Sequence, residues 1–372
     1  MITIKEVKTK KELKRFVKFP FTLYKDSKYW TPPIISQEIK TFDKKENPVF
    51  NDAEAWLFLA YKNNEIVGRI AAVINWLEVK NQKQKKMRFG WFDFIDDKEV
   101  SKQLLDKIED IGKRNDLEYT EGPVGFSNLD KVGVVTEGYD HMTPMVTWYN
   151  HPYYVNHYSD AGYKIEKSYI ESKFPFSNVK PELFLKAQEL IKRRYGLKAL
   201  AFTKTSEVMP YVDKMFDLFN ETYSELSSFV AISDIQKEYF KNKFISFVNP
   251  EYIKFIVDKE NNLIGFAIVL PSFSQALQKA KGKLFPFGFM HILNAKRNSK
   301  DVNFYLIGIH PDYQNKGVHS VIFNEYYHTF KEKDIQTCYR TPELEDNIAI
   351  QKIWKHFSPK IYRKRSTFKK DL

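Results

Sequence analysis

Tyr305-Leu-Ile-Gly-Ile-His-Pro-Asp-Tyr-Gln-Asn-Lys-Gly-Val-His-Ser320 decides the fold of this 372-residue chain. Tyr305 to Ile309 are bulky and apolar apart from Gly308, as a buried strand requires, and Pro311 with Asp312 stops the strand. An amphipathic pattern then begins at Val318 and recurs at Val321, Ile322, Tyr326 and Phe330, which is helical spacing. A loop that opens straight into a helix leaves several backbone N–H groups without intrahelical partners, and the helix dipole adds positive potential at the same point. Such a terminus takes a phosphate readily, and Lys316 adds a full charge.

Within that stretch Gln314-Asn-Lys-Gly317-Val-His319, entered through Ile309-His-Pro-Asp-Tyr313, resembles the acyl-CoA-binding motif of the GNAT superfamily, in which Gln or Arg is followed by two residues, Gly, one residue, and Gly or Ala. Asn347-Ile-Ala-Ile-Gln-Lys-Ile-Trp354-Lys-His-Phe357 is similar to the family's next helix, which starts with Asn and carries a Tyr seven residues later. The resemblance implies an α/β (α+β) fold of tandem GNAT-like domains, each a twisted, mostly antiparallel sheet flanked by helices. It implies acetyl-CoA or another acyl-CoA as co-substrate. It places cofactor contacts at Gln314, Asn315, Lys316, Gly317, Val318, His319, Ser320 and Asn347, and the oxyanion donors on backbone N–H groups around Ile307 and Ile309. Two positions depart from the pattern: His319 replaces the final small residue, and Trp354 stands where the Tyr that protonates the leaving thiolate is expected.

The tandem reading rests on a repeat. Trp56-Leu-Phe-Leu-Ala-Tyr61, a polar Lys-Asn-Asn-Glu turn, and Ile66-Val-Gly-Arg-Ile-Ala-Ala-Val-Ile74 read as a β-hairpin. Tyr252 to Val257, a polar turn, and Leu263 to Leu270 repeat it about one domain length later, with Gly265 matching Gly68. The first copy continues through Phe89 to Ile95, then a helix with Val100, Leu104, Ile108 and Ile111 on one face. Where the second copy has Asn-Lys-Gly, the first has Asp96-Asp97-Lys98-Glu99, whose carboxylates would occupy the helix terminus and repel a diphosphate. Asn150 to Tyr163 restores the likeness with an Asn-led helix and a Gly-aromatic ending. The boundaries predicted are 1–176 for a degenerate first domain, 177–196 for a linker helix, and 197–372 for the acyl-CoA-binding domain.

With 43% hydrophobic and 16% aromatic residues the chain is too apolar for disorder, while no apolar run approaches the ~20 residues of a membrane helix. One cysteine, Cys338, permits no internal disulfide and no cysteine-based metal cluster, and points to a reducing cytoplasm. No His pair has supported metal-ligand spacing, so no metal is expected. The net charge of +12 suits CoA, and also tRNA. The basic clusters are scattered between elements, which favours solvated surface charge over a nucleic-acid stripe.

Acyl transfer to an amine needs a base, and Glu345, then Glu343, then Glu221 are the candidates. Glu343 and Glu345 follow a predicted strand, Ile335 to Arg340, at the mouth of the cofactor cleft that the resemblance implies, although Glu345 and Asp346 equally suit a helix lead-in. His310 is read as structural. A Gly-rich run from Gly122 to His141 is open between a substrate loop and an inert excursion. An insert between Pro271 and Asp301 carries a basic amphipathic segment and Leu284-Phe-Pro-Phe-Gly-Phe-Met-His291, which either lines an acyl or acceptor pocket or packs the insert on the core. The acceptor is left as a small-molecule or peptide amine. Three rivals stay open: a tRNA-dependent Fem-type transferase, a non-catalytic acyl-CoA sensor suggested by Trp354, and an interaction protein.

Overall fold

The computed structural model describes residues 1–224, 226, 229–244 and 248–372. Two compact units emerge: Met1–Ile170 with Ser274–Phe289 and Tyr362–Leu372, and Glu171–Phe273 with Met290–Ile361. Both are discontinuous, where the sequence reading draws contiguous halves. The physical reason is strand pairing and side-chain bonding far along the chain, which composition does not reveal.

In the first unit β1 (Ile2–Glu6), β2 (Ala53–Lys62), β3 (Glu65–Asn75) and β4 (Lys86–Phe94) pair antiparallel in sequence order. The hairpin turn between β2 and β3 uses Asn63 and Asn64 at φ +51° and +65°, the left-handed pair that matches strand twist. Lys86–Arg88 of β4 then run parallel to β5 (Tyr119–Gly122), and β5 pairs antiparallel with the last strand of the chain, Phe368 opposite Gly122. Helix α1 (Lys10–Leu23) starts with a Thr9/Glu12 capping box; α2 (Ile35–Thr41) and α3 (Trp76–Asn81) follow. The next helix, α4 (Lys98–Arg114), buries Val100, Leu104, Ile108 and Ile111 against the sheet, on the face that their spacing predicts. Asp97 caps it, its carboxylate accepting the Glu99 N–H at 3.0 Å.

The Gly122–His141 run is tied to the sheet by side chains. Arg88 donates to the Gly125 carbonyl, Asn75 to Phe126, Arg363 to Gly138, and Arg365 to Val132 and Gly133, so buried side chains pin the run throughout. Within it β6 (Val134–Glu137) pairs with the last strand. The unit continues through α5 (Tyr154–Asp160) into β7 (Lys164–Pro175), which carries the chain across the Ile170/Glu171 division.

A buried charge cluster ties the sheet of this unit to α3. Lys86 bonds Glu78 and Glu121 at 2.7 and 2.9 Å, and Arg88 chelates Glu78 at 2.7 and 2.8 Å. Burial alone would raise the Glu121 carboxyl, but the Lys86 and Lys167 cations beside it prevail and hold it at about 2. Glu121 binds a proton more readily unfolded, so its stabilisation is complete above the unfolded value, about 4.5, and is lost as pH falls through about 2. Thermal melting is therefore expected to drop steeply between pH 4.5 and 2, by a contribution on the order of 3 kcal/mol from this carboxyl. Differential scanning calorimetry on Glu121→Gln, which should be less stable at pH 7 and show a flatter acid limb, checks this.

The second unit opens with α6 (Glu182–Tyr195), closed by Gly196 at φ +65°, whose N–H donates to the Lys192 carbonyl. Next come β8 (Lys198–Ala201), the helices α7 (Thr205–Val208), α8 (Val212–Tyr223) and α9 (Asp234–Phe244), then β9 (Ile253–Val257) and β10 (Leu263–Pro271). The insert follows as α10 (Ser274–Ala280) and α11 (Gly288–Asn298). After it stand β11 (Asp301–Ile309), α12 (His319–Glu332), β12 (Thr337–Leu344) and α13 (Ile348–Trp354). The strands β8, β9, β10 and β11 pair antiparallel in that order, and β11 and β12 pair in parallel. Ile256, Ala267 and Val269 from the sheet, Val318 at the N-cap of α12, and Val321 and Ile322 within α12 are fully buried together, which explains the helical spacing read from Val318 onward. Cys338 is 1% exposed in this core, and burial pushes its thiol well up.

Candidate acyl-CoA site

The parallel ladder between β11 and β12 ends at the pair Phe304 and Arg340. At the same place the register of β11 against β10 shifts by one residue: Leu306 lies opposite Ile268, and Phe304 opposite Val269. The extra residue is Tyr305, a β-bulge, and bulges bend a strand. Side chains go from buried at Val302–Phe304 to half-buried at Tyr305–Ile307. Beyond the bulge the ladder of β11 continues on β10, from Leu306 to Ile309.

Which backbone groups point away from β10 follows from strand geometry, since the N–H and C=O of one residue point one way and those of its neighbour the other. His310 donates its N–H to the Ile264 carbonyl at 2.8 Å, toward β10. Ile307 and Ile309 therefore point away from β10. Their carbonyls accept from the Tyr223 hydroxyl and the Gln314 amide, each at 3.1 Å, which leaves the strand end held by α8 on one side and by the loop on the other.

The loop is built for close approach. Asn315 and Gly317 take φ +57° and +79°, a left-handed geometry that costs a non-glycine residue energy at the second position. No side chain caps α12, and Ser320 bonds the Gly317 carbonyl at 2.6 Å. A 14-residue helix with an uncapped terminus, a Gly turn and Lys316 suits a diphosphate. Lys316 lies over the rings of Tyr195 and Tyr313 at 5.6 and 5.5 Å, and Ile191 would meet a Cβ at Gly317 at 2.6 Å. The helix read from the sequence as a linker thus packs on the loop. His319 packs edge-on to Phe323, and burial, with His356 nearby, pushes its imidazole down. Asn347 caps α13 by accepting the Ile350 N–H at 3.2 Å.

The three candidate bases fall in three settings. Glu345 lies exposed on the turn after β12. Glu343 is taken by Arg340, an ion pair that includes a 3.1 Å bond from Nε to Oε1. Glu221, on the last turn of α8, faces His310 Nε2 at 3.4 Å. His310 Nδ1 accepts the Asp312 N–H at 3.2 Å, so the imidazole proton sits on Nε2, toward Glu221. Glu221, His310 and Tyr223 thus collect around the free end of β11, a grouping the sequence reading did not make. Trp354 is not in the opening: its ring is 1% exposed, packs on Phe304 at 4.8 Å and lies under the Arg340 guanidinium at 4.9 Å. Breaking a buried pair leaves an uncompensated charge, so Glu343→Gln is expected to cost ~3 kcal/mol in denaturant unfolding with little effect on kcat.

The first unit repeats this geometry with the opening filled. Gly68 lies opposite Phe94 as Gly265 lies opposite Ile309, and Ile95 donates to Val67 as His310 does to Ile264. A bulge again precedes it, with Trp91 at φ +45°. The Phe94 N–H, however, is accepted by the Tyr154 hydroxyl at 3.1 Å, and its carbonyl accepts from Tyr153. Tyr154 in turn shares a buried network with Tyr24, Asp93 and Arg69. Asp97 already satisfies the α4 terminus and pairs with Lys62 at 2.8 Å. The adjacent tyrosines of the Asn150 segment were the visible signal for this closure.

No family model matches the chain. A curated protein of Caulobacter vibrioides (strain NA1000 / CB15N), named bacterial ceramide synthase, is 26% identical over 297 residues, covering 78% of this chain and 76% of that protein. Protein YghO of Escherichia coli (strain K12) is 23% identical over 376 residues, 98% and 94% of the two chains. Among solved structures, a tandem GNAT protein from the clavulanic acid biosynthesis pathway superposes with a TM-score of 0.59 at 8% identity, over 100% of this chain and 98% of that one. A GCN5-related N-acetyltransferase from Sphaerobacter thermophilus gives 0.53 at 7%, over 100% and 95%. With two copies of the bulged, splayed strand and this likeness along its whole length, the chain is a tandem protein of GNAT-like fold.

Proposed function

We propose that the second unit binds an acyl-CoA and transfers its acyl group to an amine. The observation that carries this is the bulged end of β11, where the N–H groups of Ile307 and Ile309 point away from β10 and the α12 terminus that follows has no side-chain cap. The loop Gln314–Ser320 holds the diphosphate, and the N–H groups receive the charge that develops on the thioester oxygen. Glu221, positioned by His310, accepts a proton as the amine nitrogen bonds to the acyl carbon; the C–S bond breaks and the thiolate leaves. Glu345 is the alternative base.

The acceptor class rests on the Caulobacter relative. A ceramide is the amide of a fatty acid with a long-chain amino alcohol, so we place lipid amines first among acceptors and fatty acyl-CoA beside acetyl-CoA among donors. A binding-only protein is the second reading, favoured by Trp354, which cannot hand a proton to a thiolate from the aromatic core. Thermal shift with acyl-CoAs of rising chain length, followed by mass spectrometry with amine acceptors, separates the two: stabilisation without product supports the sensor, and neither response rejects the site.

A further inference from the structure

Between Ser272 and Lys300 the chain carries no Asp or Glu but has Lys279, Lys281, Lys283, Lys296, Arg297 and Lys300. Its first half is firmly seated. Gln278 donates to the Lys28 and Trp30 carbonyls at 2.9 and 2.8 Å, Ser274 to Thr143 at 2.9 Å, and Ile35 donates its N–H to Gly282 at 2.9 Å. The second half turns its aromatics outward, so neither pocket lining nor core packing describes it. Phe285 is 76% exposed, Phe287 68% and Met290 56%. On α11 Gly288, Ile292 and Ala295 form the buried stripe, and Phe289, Met290, Leu293 and Arg297 lie together on the opposite, exposed face. The Phe285 and Phe289 rings touch at 5.6 Å between centroids. A seated segment therefore presents an apolar, aromatic crest in a stretch that holds cations and no carboxylate.

We propose that this crest docks on an anionic lipid surface, the aromatic side chains entering the headgroup and acyl boundary while the lysines and arginine meet the lipid phosphates. The combination fits that partner: exposed Phe and Met are hydrated at a cost in water, and carboxylates, which an anionic surface would repel, are missing from the whole insert. No helix among the described residues is long and apolar enough to cross a membrane.

The test is co-sedimentation of the full chain with vesicles of phosphatidylglycerol and phosphatidylcholine, and with phosphatidylcholine alone. The anionic vesicles should pellet the protein at least tenfold better, and the double variant Phe285→Ser, Phe287→Ser should lose at least tenfold of that binding. Both residues are exposed, so the variant should keep its circular dichroism, its melting temperature and its acyl-CoA affinity without vesicles. Equal pelleting with both vesicle types, or undiminished binding of the variant, overturns the proposal. So does a dimer in light scattering that the variant abolishes, since the crest would then be covered by a second copy. Loss of acyl-CoA binding in the parent protein would instead strike the acyltransfer reading and leave this one standing.

Discussion

Gly317→Asp is expected to abolish acyl-CoA binding, lowering affinity by at least a hundredfold in calorimetry. Two effects act together. Gly317 sits at φ +79°, where an L residue loses ~1 kcal/mol, and its new Cβ meets only the end of the Ile191 side chain, which can swing away. The carboxylate is the larger effect, because it would place a negative charge at the α12 terminus where the diphosphate is to bind, close to Lys316, and compete for both. Gly317→Ala separates the two: it carries the strain without the charge and should lose less than tenfold. Asp97→Asn in the first unit should leave affinity unchanged, with one CoA per chain. Undiminished binding in the Asp variant would remove the site, and a stoichiometry of two would remove the asymmetry argued from Tyr153, Tyr154 and Asp97.

Glu221→Gln is expected to lower kcat by about 10²- to 10⁴-fold, the usual contribution of a positioned base, while acyl-CoA affinity stays within a factor of two. The substitution keeps the shape of the side chain and its acceptor oxygen toward His310, so stability should change little. Glu345→Gln is the internal comparison. If steady-state rates fall with Glu345 and not with Glu221, the base lies on the turn after β12, and the α8 couple is only a brace for β11. His310→Asn should lower kcat less than Glu221→Gln, because it removes the positioning group and leaves the carboxylate.

What the sequence shows is what short stretches fix. Tyr305–Ser320 contains its own strand, stop, turn and helix start, and the hairpin repeat carries its own polar turns, so the GNAT-like fold and its duplication are legible in the order of the residues alone. The α4 face is legible because Val100, Leu104 and Ile108 recur at helical spacing and enter one core cluster. Glu221 and His310 are far apart in sequence, and neither stands in a local pattern, so their meeting depends on where α8 lies against β11. Trp354 falls at the motif's Tyr position, yet aromatic burial and the Arg340 cation decide its direction. The outward aromatics of the insert are illegible for a related reason: exposed and buried Phe look alike until a helix stripe such as Gly288, Ile292 and Ala295 is seen to be already used.

The last strand, Lys360–Asp371, pairs with β5 and β6 and puts the buried Arg363 and Arg365 on the carbonyls of the Gly122–His141 run. On a ribosome, the first unit therefore waits. Its β1–β4 meander can form early, but β5 keeps an open edge and the Gly-rich run keeps unsatisfied carbonyls until Lys360–Asp371 has been made. Contacts of that sequence separation slow folding, and the half-finished edge is what a chaperone would meet.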